Sequence, residues 1–251
     1  MTPPQAVTLR SPLRWLTLGW ADLRYNPVPG LVHGLLLTAF GGLLLWVARD
    51  RFWLLAGAFS GFLIVAPILA TGLYTVSQAR QSGRHVGLAE VLALWRSGDG
   101  RLVRFGLLLG LAGTGWVLTS AGLITLWSPV PIQKPLDFLR HVVLEPRLGL
   151  FEAWLLLGAL LAAPVYASTV VALPLLVDTA MPVGNAVAQS WRAVASHPGP
   201  TALWAVVIVA LIGLGMLTAL LGLVVAIPLV GHASWHAYRD LNASTGRRVG
   251  G

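Results

Sequence analysis

His232 and His236 lie four residues apart, so on a helix they share one face. Two imidazoles at that spacing can bind zinc, copper or haem iron. A pair is an incomplete metal site, and His33 is the residue that could supply a third ligand. The competing reading is interfacial anchoring beside Trp235, Tyr238 and Arg239. A second group follows Pro164: Tyr166, Ser168 and Thr169 could line a small polar pocket. Such hydroxyls also bond the carbonyl one turn back, or backbone that a proline has freed. Pro67, Pro164 and Pro228 form a third set, since each removes one helical hydrogen bond and kinks its helix. Three kinks around one axis could make a gate or a cavity; the plainer role is packing. Glu152 is the one acid placed within an apolar run, near its outer end. Without an ionisable group at mid-run, ion-coupled transport through a buried carboxylate is not expected. The chain has no Cys and no phosphate-binding or nucleophile-elbow motif.

The elements that carry these residues follow from composition. Of 251 residues, 56% are hydrophobic and 10% charged. A soluble domain carries about 25% charged residues. So few cannot cover a water-facing surface, which excludes a soluble globular enzyme, and a disordered chain would be polar. Long apolar runs instead predict a multi-span membrane protein. The net charge of +8 comes almost wholly from Arg flanking these runs, so it reads as membrane topology and not as nucleic-acid binding.

Four spans are predicted, at about 31–48, 52–78, 103–127 and 148–177, each near the ~20 residues a bilayer requires. The final apolar stretch, from Thr201 to Tyr238, predicts a hairpin of two short spans turning near Thr218–Gly222. Charge supports the hairpin. With six spans, only Arg49, Arg51, Lys134, Arg140 and Arg147 of the 17 Lys+Arg fall on one face. The richer face, holding both termini, is then cytoplasmic. A single last span would carry Arg239, Arg247 and Arg248 across and erase the bias.

An internal repeat supports it too. Trp20 is followed by Pro27 and Pro29, and Trp191 by Pro198 and Pro200, at the same spacings. Ala66-Pro67 precedes Trp95 much as Ala163-Pro164 precedes Trp191. Tyr74 and Trp235 each fall seven residues after their proline. The reading is three units, about 11–80, 84–178 and 182–241, with 242–251 a flexible tail, all within one membrane domain of residues 1–251. Each unit has an amphipathic interfacial helix, a first span and a proline-containing second span. In the first such helix Leu13, Leu16, Trp20 and Leu23 mark the apolar face. Leu136, Leu139, Val142 and Val143 predict a short surface helix in the outer loop. Trp15, Trp20, Trp95, Trp191, Trp204 and Trp235 are expected at the inner interface as an aromatic belt.

Gly19-Trp20-Ala21-Asp22-Leu23, the stretch from Ala66-Pro67 to Gly72-Leu73-Tyr74, and Pro228 through Arg239 resemble a bacterial family of predicted integral membrane proteins, domain of unknown function 2189. The resemblance runs from about Trp15 to Leu241. Its most specific part is the Gly-His-Ala-x-Trp-His-Ala-Tyr-Arg block starting at Gly231. It implies a multi-pass inner-membrane protein and no particular activity. The expectation is therefore an all-α polytopic protein of six transmembrane helices in three two-helix repeats, non-enzymatic, with a structural or assembly role in the envelope. Membrane lipids and other membrane proteins are its expected partners, and no cofactor is required. A passive conduit for a small neutral or lipophilic solute, and a haem or copper site at His232 and His236, are the alternatives.

Overall fold

A computed structural model describes residues 6–58, 61, 70–96, 99–145 and 149–249. Among these residues the structure is helical, without a strand. Pro67 and the middle of the second expected span lie outside the described residues. The labelled helices are α1 (Ser11–Tyr25), α2 (Pro27–Ala48), α3 (Thr71–Gln81), α4 (Leu88–Arg96), α5 (Gly100–Trp127), α6 (Pro135–Phe138), α7 (Leu150–Thr169), α8 (Ala172–Asp178), α9 (Val183–Ser196), α10 (Pro198–Leu217) and α11 (Leu223–Val249). Residues 52–58 are also helical. Among the described residues, four stretches are long and apolar enough to cross a membrane: Pro27–Ala48, Gly100–Trp127, Leu150–Asp178 and Pro198–Leu217. Their outward faces carry exposed side chains such as Leu35, Leu107, Leu111, Leu156, Val206 and Val209. Water would penalise that surface, and hydrocarbon would not.

The chain divides into two compact units, residues 1–38, 67–105 and 166–251 in one, and 39–66 and 106–165 in the other. In the second unit, Phe52, Ile124, Ile132, Val142 and Leu150 form a small core with Phe138 and Trp154 against it. The Phe52 amide donates to the Gln133 carbonyl (2.8 Å), and Trp154 Nε1 donates to Ser120 Oγ (2.7 Å). The expected surface helix is α6, which continues into a π turn over Leu139–Val143. That wider turn rotates the register. Val142 goes inward while Leu136 and Leu139 stay exposed.

The first unit is built around α11. This helix packs against α1, α3, α8, α9 and α10. Between Ala226 and Leu241 nearly every residue is buried or half-buried, which explains how so polar a stretch is held inside. Two entry junctions into spans are alike. Asn26 (φ −137°, ψ 77°) joins α1 to α2, and His197 (φ −137°, ψ 56°) joins α9 to α10. Each amide donates one turn back, to Asp22 O (3.1 Å) and Ala193 O (3.2 Å), and each following helix begins on a proline. Proline suits a first helical turn because its missing N–H is not needed there.

The chain breaks at 218–222, where the sequence predicts a turn. Thr218 Oγ1 donates to Gly215 O (2.8 Å) and accepts from the Gly222 amide (2.7 Å). Ala219 (φ 52°) and Leu220 (φ 71°) adopt the left-handed region, and α10 packs against α11 beyond them. The stretch expected as a flexible tail continues α11 to Val249. The helices α3 and α8, which follow Pro67 and Pro164 in the chain, and α11, which contains Pro228, pack on one another. Tyr74, Val171 and Trp235 sit seven residues after Pro67, Pro164 and Pro228, and all are buried. The Tyr74 and Trp235 rings stack at 6.4 Å.

Arg101 closes the end of α8. Its guanidinium pairs with Asp99 (2.6 Å) and donates to the carbonyls of Thr179 (2.7 Å), Met181 (3.0 Å) and Leu176 (3.3 Å). Carbonyls at a helix C-terminus lack helical donors, so a cation there satisfies both charge and hydrogen bonding.

Candidate functional site: a buried carboxylate and histidine network

The side of α1 that faces the protein is Ser11, Pro12, Trp15, Gly19, Asp22 and Leu23, while Leu13 and Trp20 point outward. Gly19 permits this. A Cβ there would lie 2.6 Å from the Ala233 amide nitrogen, so α1 and α11 meet backbone to backbone. That approach brings Asp22 onto α11 and α3.

Asp22 is 3% exposed. Its Oδ1 accepts from Arg80 Nη1, and its Oδ2 lies 2.9 Å from His236 Nε2. The Ser77 hydroxyl also hydrogen-bonds it. Burial alone would raise this carboxyl. The hydrogen bond and charge of His236, with the bonds from Ser77 and Arg80, outweigh burial and hold it below the usual carboxylate range.

Ser77 extends the network, with its Oγ 2.8 Å from His232 Nδ1. A hydroxyl has one proton. Given to the Asp22 carboxylate, it leaves Ser77 Oγ to accept from His232 Nδ1–H. His232 Nε2 then carries a lone pair, buried and without a hydrogen-bond partner among the described residues. His33 is fixed in the same way. Its Nδ1 donates to Pro29 O (2.8 Å), since a carbonyl can only accept.

Two further carboxylates clasp neighbouring helices. Asp240 on α11 accepts from Arg14 Nη2 (2.5 Å) and Trp15 Nε1 (2.6 Å) on α1. Asp178, at the end of α8, accepts from Gln78 Nε2 on α3 (2.8 Å) and Tyr238 Oη on α11 (2.6 Å). Removing only the Tyr238 hydroxyl tests this clasp. Tyr238→Phe is expected to cost about 1–2 kcal/mol, read as a lower melting temperature in detergent, because a bond to a charged acceptor is lost and half of Asp178's pairing with it.

The predicted site residues now have places. His232 and His236 do share one face of α11, but each imidazole engages a different partner, Ser77 and Asp22. His33 lies on α2 near Gly72, where a Cβ would sit 3.0 Å from its Nε2. Among the described residues no group of three His, Asp or Glu is arranged to hold a metal ion. The three hydroxyls after Pro164 are all engaged. Tyr166 Oη donates to Thr201 O (2.7 Å), Ser168 Oγ accepts from Trp191 Nε1 (2.9 Å), and Thr169 Oγ1 donates to Tyr166 O (3.1 Å). Pro164 and Pro228 both sit inside helices. Pro228 leaves the Val224 carbonyl without its helical donor, and that oxygen lies against Gly34 of α2.

The tryptophans expected as an inner belt are split among the described side chains, which do not include that of Trp95. Trp20 and Trp191 are exposed, whereas Trp15, Trp204 and Trp235 are fully buried, with Trp15 edge-on to Trp204 at 5.7 Å. The sequence reading missed Asp22 and Asp178 as site residues. One signal was present for Asp22, since Trp15, Gly19 and Asp22 fall at i, i+4 and i+7 on one helix face.

No curated protein and no solved structure matches the chain. One family model does match, over residues 54–178, and it describes a predicted integral membrane protein. The match takes in α3 through α8, including Ser77, Arg80 and Asp178, and ends before the Gly231–Arg239 block. Apolar helices with exposed faces and this match agree: over those residues the chain belongs to the integral membrane protein family of unknown function DUF2189.

Proposed function

We propose that this protein is a non-enzymatic scaffold of a bacterial inner membrane, acting in envelope structure or assembly through its contacts with lipid and with other membrane proteins. It crosses the bilayer six times as three two-span repeats, with both termini cytoplasmic. One observation carries this reading. The three inward-facing carboxylates, Asp22, Asp178 and Asp240, each join two or more helices and are saturated by Arg80 and His236, by Gln78 and Tyr238, and by Arg14 and Trp15. Groups so committed hold helices together, and none is left poised for proton transfer to a substrate. The matching junctions at Asn26 and His197, and the mutual packing of α3, α8 and α11, support the repeat.

The topology is tested with two reporters. A fluorescent protein fused after Gly251 is expected to report the cytoplasm. A single cysteine replacing Ala219 is expected to react with an impermeant thiol reagent added outside spheroplasts. A periplasmic C-terminus would overturn the six-span reading. The scaffold role is tested by mass spectrometry of the protein isolated in mild detergent, where a stoichiometric protein or lipid companion is expected; turnover of a small molecule would overturn it.

A second reading has one observation in its favour. The oriented, buried lone pair of His232 Nε2 is the feature a haem or copper ligand needs, because the hydrogen bond at Nδ1 fixes the ring. Metal analysis of the purified protein, with His232→Ala as control, decides it.

A further inference from the structure

We propose that the exposed cationic surface around Tyr25, where α1 ends beside the turn that follows α3, binds the phosphodiester headgroup of an anionic glycerophospholipid. The surface is built, not merely charged. Asn26 Nδ2 donates to Val86 O (2.7 Å) and ties the two chain segments together. The Tyr25 and His85 rings stack at 4.2 Å and 16°. The Arg80 guanidinium lies over the same Tyr25 ring, 5.3 Å from its centroid, and its Nη1 also donates to Asp22. Gly83 turns the chain in the left-handed region (φ +70°), and the Arg84 amide then donates back to Ala79 O (3.0 Å). That turn places Arg84 and His85 on the rim, with Arg24 next to Tyr25.

Charge names the occupant. Arg24, Arg84 and His85 are exposed, and among the described residues neither arginine has an ion pair. The nearby acids are already engaged: Asp22 by Arg80 and His236, and Glu90 by the Gly87 amide. Two uncompensated guanidiniums remain, and their fork matches phosphate oxygens. Depth points to a lipid. The outward side of α1 carries exposed Leu13 and Trp20, and Tyr25 is 38% exposed. Apolar and aromatic side chains of this kind seat a helix at the headgroup boundary, where the phosphates of anionic lipids lie. The inference rests on the reading of this face as a membrane interface.

The test reconstitutes the full-length protein into phosphatidylcholine vesicles with and without phosphatidylglycerol, extracts it gently and counts retained lipids by native mass spectrometry. Wild type is expected to retain phosphatidylglycerol over phosphatidylcholine. Arg24→Gln with Arg84→Gln is expected to lower that preference roughly thirtyfold, as loss of two interfacial arginines would. Arg24→Lys with Arg84→Lys is expected to keep most of it, which separates lost charge from lost fold. An unchanged preference in the Gln pair would overturn the proposal. So would displacement of phosphatidylglycerol by inorganic phosphate, which would mark a site for the free anion. Labelling of Ser82→Cys, in a chain without other cysteines, reports the side of the membrane separately. Reaction from outside spheroplasts would defeat the orientation and leave the lipid preference to stand on its own result.

Discussion

Asp22→Asn is expected to destabilise the protein by about 3 kcal/mol, more than any other single polar substitution in the first unit. Removing one partner of a buried ion pair leaves the other charge uncompensated, and this typically costs ~3–5 kcal/mol. The lower end applies because the Arg80 side chain keeps 33% of its exposure and can reach water. The amide would match Asp22's shape, but its NH2 group would face donors on Arg80 or His236. Melting followed by tryptophan fluorescence in detergent measures the effect, since Trp15 and Trp235 lie in the same packed unit. Asp50→Asn is the control. Its pair with Arg49 is exposed on both sides, so no measurable change is expected. Asp22→Asn with Arg80→Gln should be more stable than Asp22→Asn alone, because the orphaned charge is gone. Equal stability of the single and double variants would show that the two residues are not coupled.

The same carboxylate predicts a pH dependence. Its folded value is held below the ordinary one, so folding favours the ionised form. The stability it contributes is fully present above the unfolded carboxylate value of about 3.9 and is lost as pH falls through the lower folded value. The gap between wild type and Asp22→Asn should therefore shrink as pH falls below about 4. A gap that widened below about pH 4 would contradict the assigned ionisation.

The helical class and the break at 218–222 were legible because they depend on local properties. Apolar length requires helices in a bilayer, and the Thr218–Gly222 stretch suits a turn. The polar network was not legible, for two physical reasons. The first concerns which face of a helix is buried. Leu13, Leu16, Trp20 and Leu23 stand out by periodicity, and in water such a face turns to the core. At a membrane the apolar face can turn to lipid; here Leu13 and Trp20 are exposed, while Trp15, Gly19, Asp22 and Leu23 turn to the protein. The second reason is distance along the chain. Asp22 meets His236, and Trp15 meets Asp240, more than 200 residues apart, and nothing local in one sequence pairs them. The histidines show both sides of this. Their shared face follows from spacing, but their separate partners, Ser77 and Asp22, come from other helices. Trp15, Trp204 and Trp235 likewise resemble belt residues in composition, and only the packing around α11 buries them.

Gly34→Ala and Gly42→Ala make the same chemical change on the same helix, α2, and are expected to act with opposite signs. Alanine is the better helix former by about 1 kcal/mol, so propensity favours both substitutions. At Gly42 an added Cβ meets nothing within 4 Å, and Gly42→Ala should be neutral or slightly stabilising. At Gly34 the Cβ would lie 2.1 Å from the Val224 carbonyl oxygen and 2.8 Å from its Cα. These are backbone atoms of α11 and cannot rotate away as a side chain would. The helices must part, and α11 carries most of the packing in its unit. Overpacking a fitted contact costs ~1–3 kcal/mol, and the upper end or beyond is expected where backbone has to move. The position also has a specific job. Val224 O is the carbonyl that Pro228 deprives of its helical hydrogen bond, so it needs cover from the neighbouring helix. Gly34 gives that cover at a distance that only a Cα hydrogen allows, and a Cα–H···O contact recovers part of the lost interaction. Pro228→Ala should accordingly be mild, because it returns the helical N–H, whereas Gly34→Ala should abolish the sharp melt or the monodisperse elution profile in detergent. If Gly34→Ala instead behaves like Gly42→Ala, α2 does not pack on α11 at the proline, and the role assigned to Pro228 falls with that contact.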